Sequence, residues 1–481
     1  MEHSIEKIGG TSMTAWQDVL NNIWLRPQRN AEGEETLYQR AFVVSAYSGI
    51  TNGLLEHKKT GEAGVYALFA EDENNPWAEK LDDVLQQMLN INAEIFADDS
   101  ERKQRADKFI RARIVDVKQC LKNLEVVCSF GHFQLDDQLH RVREMLSAIG
   151  EAHSAYNSVE LLHSHGVNAR FIDLTNWISD EQLSLNDHIK EAFTNVDFNT
   201  EMPIVTGYAQ CREGLMRTFD RGYSEMTFSK IATITGAAEA IIHKEYHLST
   251  ADPMLVGADK VYPIGQTNYD VADQLANLGM EAIHPRAAAG LRRKDIILRI
   301  KNTFEPEHKG TVILNEHNND TPKVEIIAGT PGVWAVELFD QDMVGDSKYR
   351  TNMNELVQDS GLKVLTKDYN ANTVTFYLKG NKRRINTLIE RLKKAYPEAD
   401  ISAEKVALVS AIGSNMKVPG LLQKAAAALS NAGVNILSVH QALRQVDMMF
   451  LVSNQDYTKA VQALHEQLIE NADVWPNQKT A

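Results

Sequence analysis

Lys7 precedes Ile8 and the run Gly9-Gly10-Thr11-Ser12, and the surrounding MEHSIEKIGGTSMTAWQDVL passes from an alternating apolar pattern to a helical one. A strand that turns into a helix through two glycines exposes successive backbone N–H groups at the helix N-terminus, an arrangement that binds anions and phosphate above all. Lys7 would project from the strand end, where an ammonium can meet the charge developing on a transferred phosphoryl group. G-x-x-x-x-G-K-[ST] and G-x-G-x-x-G are both absent, so the loop is neither a Walker A nor a dinucleotide motif. Taken alone, these residues also suit a tight turn beside a solvated lysine.

Four further stretches add chemistry. VVSAYSGITN (43–52) ends a second buried strand in small and hydroxyl residues, so Ser45, Gly49 and Thr51 can line the same strand-end crevice. FDRGYSEMTFS (219–229) sets Arg221 close to Glu225 ahead of a helix, and IGEAHSA (149–155) places Glu151 on an apolar helical face. An arginine clamps a carboxylate bidentately, while two acidic side chains hold an ammonium. LSTADP (248–253) is a turn after a strand, suited to a nucleotide loop or to plain chain reversal.

The elements that must position these groups follow from periodicity. Strand-like runs at 4–8, 41–46, 168–174, 202–208 and 240–244 alternate with helical stretches, the pattern of an α/β sheet covered by helices. Residues 64–130 are charged and helix-periodic, an expected helical insertion within a first unit spanning 1–313. Segment 301–313 and the LNEHNNDTPKV after it are rich in Pro, Gly, Asn and Asp and mark a boundary. Beyond it SGLKVLTKDYNANTVTFYL echoes AGVNILSVHQALRQVDMMFLV, with Gly361 and Gly433 72 residues apart. Strand, helix, two strands and helix in each copy predict two ferredoxin-like modules, at 324–396 and 404–475.

The totals bound the class. At 481 residues the chain exceeds a single core, and its composition, 43% hydrophobic and 24% charged, is that of a globular protein. A net charge of −15 argues against nucleic acid as a partner. No apolar run approaches the roughly 20 residues that span a bilayer, and Glu2 and Glu6 do not fit an export signal. Cys120, Cys128 and Cys211 lack metal-like spacing and fit idle thiols in a reducing compartment. A cytoplasmic location with no membrane association is expected.

In this order, KIGGTS, SAYSGITN, IGEAHSA, FDRGYSEMT, LSTADP and GMEAIHP resemble the motifs of aspartate kinases in the amino-acid kinase family. The resemblance covers nearly the whole chain. It implies a carbamate-kinase-like α/β sandwich with a mainly parallel sheet, followed by two βαββαβ ACT modules. The implied reaction is phosphorylation of the side-chain carboxylate of L-aspartate by ATP, with Mg²⁺ carried mainly on the ATP phosphates and no protein ligand assigned to the metal. By position, Lys7, Arg221 and Glu225 would be catalytic. Lys7, Gly9, Gly10, Ser12, Ser45, His243, Lys244 and Asp252 would contact ATP, and Ser45, Thr51, Glu151, Arg221 and Glu225 would contact aspartate. Asn415, Met416, Pro419, Gly420 and Asn435 would form an amino-acid effector site, and ACT pairing implies a homo-oligomer.

The chain departs from the family pattern at several positions. Tyr223 and Glu225 stand where a glycine and an aspartate are usual, Ile242-His243-Lys244 replaces an aromatic-Thr-Asp run, Met254 replaces an arginine, and Glu281 replaces a lysine. These departures, together with the insertion, resemble a subgroup associated with ectoine biosynthesis. Two other readings stand beside this one: an amino-acid kinase acting on a glutamate-type substrate, and an inactive sensor that uses only its ACT modules.

Overall fold

The computed structural model describes residues 2–29, 33–58, 60–71, 76–130, 132–177, 183–219, 222–278, 280, 282–345 and 347–471, excepting the side chains of 137, 347 and 348. The chain forms two compact units, one of residues 1–247 and 283–315, the other of 248–282 and 316–481.

In the first unit β1 (Ser4–Ile8), β2 (Arg40–Val44), β3 (Ala169–Ile172), β4 (Met202–Thr206), β5 (Glu239–Lys244), β6 (Ile297–Asn302) and β7 (Thr311–Leu314) lie in the order β3-β4-β2-β1-β5-β6-β7. All neighbours are parallel except β6 and β7. The central strands β1, β2 and β4 are buried throughout, as expected where helices cover both faces of a parallel sheet. Helices α1 (Gly10–Thr14) and α2 (Ile50–Leu54) follow β1 and β2. The expected insertion contains a short helix at Val65–Glu71, then α3 (Trp77–Ile95) and α4 (Ser100–Cys128). After it come α5 (Asp136–Ser164), α6 (Tyr223–Thr235) and α7 (Pro285–Arg293).

In the second unit β8 (Ile326–Phe339), α8 (Ser347–Asp359), β9 (Lys363–Tyr369), β10 (Thr373–Lys379) and α9 (Lys382–Ala395) form one repeat. The other comprises β11 (Asp400–Ile412), α10 (Leu421–Asn431), β12 (Ile436–His440), β13 (Asp447–Ser453) and α11 (Tyr457–His465). Gly361 and Gly433 end the first helix of each repeat at φ +64° and +65°, a left-handed backbone that favours glycine. The six strands make one antiparallel sheet, β9-β10-β8-β11-β13-β12.

The joint between the repeats is the long β8–β11 pair. Residues 334–339 of β8 pair with β10 and 333–339 with 400–406 of β11, whereas 326–330 of β8 pair with 408–412, and the register shifts between Thr330 and Val333. Residues 406–412 of β11 pair with β13. Each module therefore completes its four-stranded sheet with half of the other's long strand, which gives the βαββαβ content expected.

One face of this sheet carries two helix-covered cores, one around Phe376, Leu388 and Met353, the other around Phe450, Leu429 and Leu464. Val271 and Leu275 of the helix Tyr269–Asn277 pack on Leu408, Leu451 and Ile326 of the other face. The sheet curls until its edges meet: Asp368 on β9 accepts a hydrogen bond from Ser438 at 2.9 Å and lies 2.5 Å from His440 Nε2, both on β12. Paired in this way, the edge strands offer less of an open template to other chains.

Candidate active site

Side chains alternate across a strand, so Lys7 and Glu6 leave β1 on opposite faces. On the Lys7 face, the strand ends, α1, α2, α5 and the start of α6 enclose a cavity of about 380 Å³ lined by Gly10, Thr11, Ser45, Thr51, Glu151 and Tyr223 among others. The crevice lies where β1 and β2 give way to their helices, as expected for an open α/β sheet.

Lys7 is almost fully buried, and its ammonium lies 3.6 Å from Glu225 Oε1. The other oxygen of Glu225 accepts the backbone N–H of His284 at 2.5 Å, so the same carboxylate caps the N-terminus of α7. Glu225 holds the lysine and a helix end together, a role beyond the sequence expectation of receiving an ammonium.

Glu151, on α5, is 2% exposed, and its Oε2 has no hydrogen-bond partner. Burial pushes its carboxyl up to about 8, against the opposing pull of Lys7, the Tyr223 hydroxyl and the backbone of Tyr208. A bare, buried carboxylate oxygen carries a desolvation cost that an incoming cation would relieve. Tyr223, where the family pattern has a glycine, thus has a definite place: its phenol bonds Glu151, and its ring packs edge-on against Tyr208 at 5.7 Å.

The two opening glycines differ. A Cβ on Gly10 would lie 2.6 Å from the carbonyl oxygen of Ala46, whereas one on Gly9 would meet nothing closer than 3.7 Å. Gly10 is thus the position where β1–α1 and the end of β2 approach too closely for any side chain. The helix opened by Gly10 stops at Thr14 and breaks at Ala15 before resuming at Trp16, so the helical pattern after the glycines is carried by more than one helix.

Several predicted residues lie elsewhere. The Ser12 hydroxyl is buried, accepts from Thr303 at 3.0 Å and faces Glu245, so it does not line the cavity. His243 projects to the Glu6 face, with Nε2 2.6 Å from Glu6 Oε2, in a buried cluster completed by the bidentate Arg40. Its side chain is therefore turned away from Lys7. Lys244 ends β5. Asp252 belongs to the second unit, where it caps the short helix Pro253–Val256 through the N–H of Met254. Arg221 lies outside the described residues.

In the second module Met416 is 1% exposed within the core, and Asn415 donates to the carbonyl of Asn319 at 2.8 Å. Gly420 opens α10 at φ +87°, and Pro419 and Asn435 are exposed.

Sequence reasoning missed Tyr208, Gly207 and His284. Gly207 follows β4, and a Cβ there would lie 2.9 Å from Glu151 Oε2 and 2.8 Å from Ser224 Cβ. Only the glycine in VTGYAQ hinted at that approach. His284 was marked by the His-Pro pair at the start of α7.

A strand-end cavity lined by a glycine turn and a buried carboxyl, with a buried lysine close by, suits phosphoryl transfer to a small molecule, and the chain belongs to the amino acid kinase family, matched over residues 4–302. Residues 409–468 match an ACT domain. Among its relatives, "Aspartate kinase Ask_Ect" of Stutzerimonas stutzeri (strain A1501) is 53% identical over 469 residues, 97% of this chain and 98% of that protein. "Aspartokinase 1, chloroplastic" of Arabidopsis thaliana is 23% identical over 69% of this chain and 62% of its own length. The crystal structure of E. coli aspartokinase III in complex with aspartate and ADP (R-state) superposes with a TM-score of 0.70 at 20% identity, over 97% of this chain and all of that one. At that identity the likeness speaks to the fold.

Proposed function

We propose that the protein transfers the terminal phosphoryl group of MgATP to the side-chain carboxylate of L-aspartate, giving 4-phospho-L-aspartate and ADP. The observation that carries this reading is the placement of the buried Glu151 carboxyl, one of whose oxygens has no hydrogen-bond partner, on the wall of a strand-end cavity and within electrostatic reach of the buried Lys7. The 53% identity to an aspartate kinase supports the choice of substrate.

A carboxylate oxygen of the substrate attacks the terminal phosphorus as the bond to the bridging oxygen breaks, and ADP leaves with that electron pair. An aspartate side chain ordinarily ionises near pH ~4, so the nucleophile needs no general base, and catalysis rests on positioning and charge neutralisation. Lys7 meets the charge on the phosphoryl oxygens, and the amides around Gly10 and Thr11 receive phosphate. Glu151, oriented by Tyr223, takes the substrate ammonium, while Glu225 fixes Lys7 to α7. By the resemblance, Arg221 grips the α-carboxylate. Mg²⁺ bound to the ATP phosphates supplies further charge neutralisation.

ADP release measured with and without L-aspartate, followed by trapping of the acyl phosphate with hydroxylamine, tests the reading. Aspartate-dependent ADP and a hydroxamate are expected, and preference for glutamate or absence of hydroxamate overturns it. Work in the cytoplasm, a homo-oligomer built through ACT pairing and service to the ectoine branch belong to the same proposal. Among the described residues no helix is long and apolar enough to cross a membrane. A gene neighbourhood holding ectoine-synthesis genes supports the branch, and a lysine or threonine operon counts against it.

A further inference from the structure

The face of the sheet opposite Lys7 holds a second cavity, of about 350 Å³, whose chemistry the kinase reading does not use. Its lining is dominated by cations: Arg26, Arg29, Arg40, Arg299, Lys301 and Lys309. Three of them are matched. Arg40 grips Glu6 at 2.6 and 3.1 Å, Arg299 lies 2.7 Å from Glu239, and Arg26 lies 2.8 Å from Glu307.

Arg29, Lys301 and Lys309 have no hydrogen bond or ion pair from their side chains among the described residues. They leave about three positive charges facing one concave space in a chain whose net charge is −15. Lys301 is the most enclosed: burial lowers its pKa, and Arg40, Arg26 and Arg299 lower it further, against the pull of Glu6. His243, on the cavity wall, adds no compensating negative charge, and burial favours its neutral form. Like charges crowded in a recess raise the local potential and concentrate anions there.

We infer that this cavity is a binding site for a small oxyanion of the phosphate class, held by Lys301, Lys309 and Arg29. The lining offers no Phe, Tyr or Trp on which a nucleobase could stack, which favours a free inorganic ion over a nucleotide. A tetrahedral dianion suits several converging N–H donors better than a single carboxylate does. Bound there, it ties β6 to the Gln28–Arg29 strand and to the segment that carries Lys309, and so stabilises the first unit by binding only its folded form.

Calorimetric titration and thermal melting of the full chain with inorganic phosphate, sulfate, ADP and adenosine, at ionic strength matched with chloride, test the site. Phosphate and sulfate should bind saturably and raise the melting temperature, with chloride and adenosine inert. Lys301→Met should weaken phosphate binding about tenfold or more, as expected for loss of a charged donor. Because Lys301 is partly buried, the exposed pair Arg29→Ser with Lys309→Ser provides a second variant, checked for unchanged circular dichroism. Lys7→Met should retain the phosphate response.

The proposal is overturned if phosphate acts no differently from chloride, or if Lys7→Met abolishes binding while the other variants keep it. Binding of ADP, but not phosphate, at the site reassigns it to a nucleotide. An oligomer that dissociates in the exposed double variant, without any phosphate response, assigns the patch to a second copy of the chain.

Discussion

Burial pushes the Glu151 carboxyl up to about 8, which favours its protonated form near neutral pH. A substrate ammonium reverses that preference, because an opposite charge within a few ångströms favours the ionised form. Aspartate binding at pH 7 should therefore release a proton, seen as buffer-dependent heat in titration calorimetry, and the release should vanish at pH 9. KM for aspartate should fall as pH rises from 6 to 8 and level off above. For stability the sign is the opposite: a folded-state pKa above the unfolded value stabilises below about 4.5, and this contribution is lost as pH rises through about 8. Glu151→Gln should flatten that decline in denaturation midpoints while weakening aspartate binding. Lys7→Ala should cut kcat by roughly 100- to 1000-fold, the scale for removing a charge-stabilising donor, with the fold intact by circular dichroism. Retained turnover would remove Lys7 from the centre.

At the scale of elements, the two glycines of the first turn look alike in sequence and differ in space. Gly10→Ala drives a methyl toward the Ala46 carbonyl and should cost about 1–3 kcal/mol, the range for overpacking, while Gly9→Ala, whose methyl would make only ordinary van der Waals contacts, should be close to neutral. Chemical denaturation of the two variants decides it, and equal losses would refute the close-approach argument. The strands around this turn were legible because a buried parallel strand writes itself as a short apolar run, so 4–8 emerged from the pattern, as did the run 202–208 that contains the strand Met202–Thr206. The directions of Ser12 and His243 could not be read from the sequence, because a motif gives position along the chain but not the direction of a side chain. Ser12 turns to Thr303 and His243 to Glu6, partners 291 and 237 residues away. The bare oxygen of Glu151 and the fit of Gly207 against it arise from packing among α5, β4 and α6, which no local pattern encodes.

At the scale of the whole molecule, the repeat was visible as a 72-residue echo, but its crossed long strands were not, since pairing partners of β8 and β11 lie 61 to 86 residues apart. Because each module's sheet needs the other's strand, the two should unfold together. Hydrogen exchange of the full chain should show Leu338→Ala, a buried position in the first module that should cost about 2–5 kcal/mol, weakening protection at 406–412 of the second as well. Protection lost only in the first module would show two independent bodies. Amino-acid effectors, tested by equilibrium dialysis with lysine, threonine and other aspartate-derived amino acids, should bind the ACT modules, and absence of all binding would leave them without a regulatory role.

Duplicated segments usually drift apart in length once each copy can fail alone. Here an insertion or deletion within 326–339 would throw both descendants of the duplication out of step at once, so their lineages are tied at that strand even where their loops and surfaces have been free to diverge.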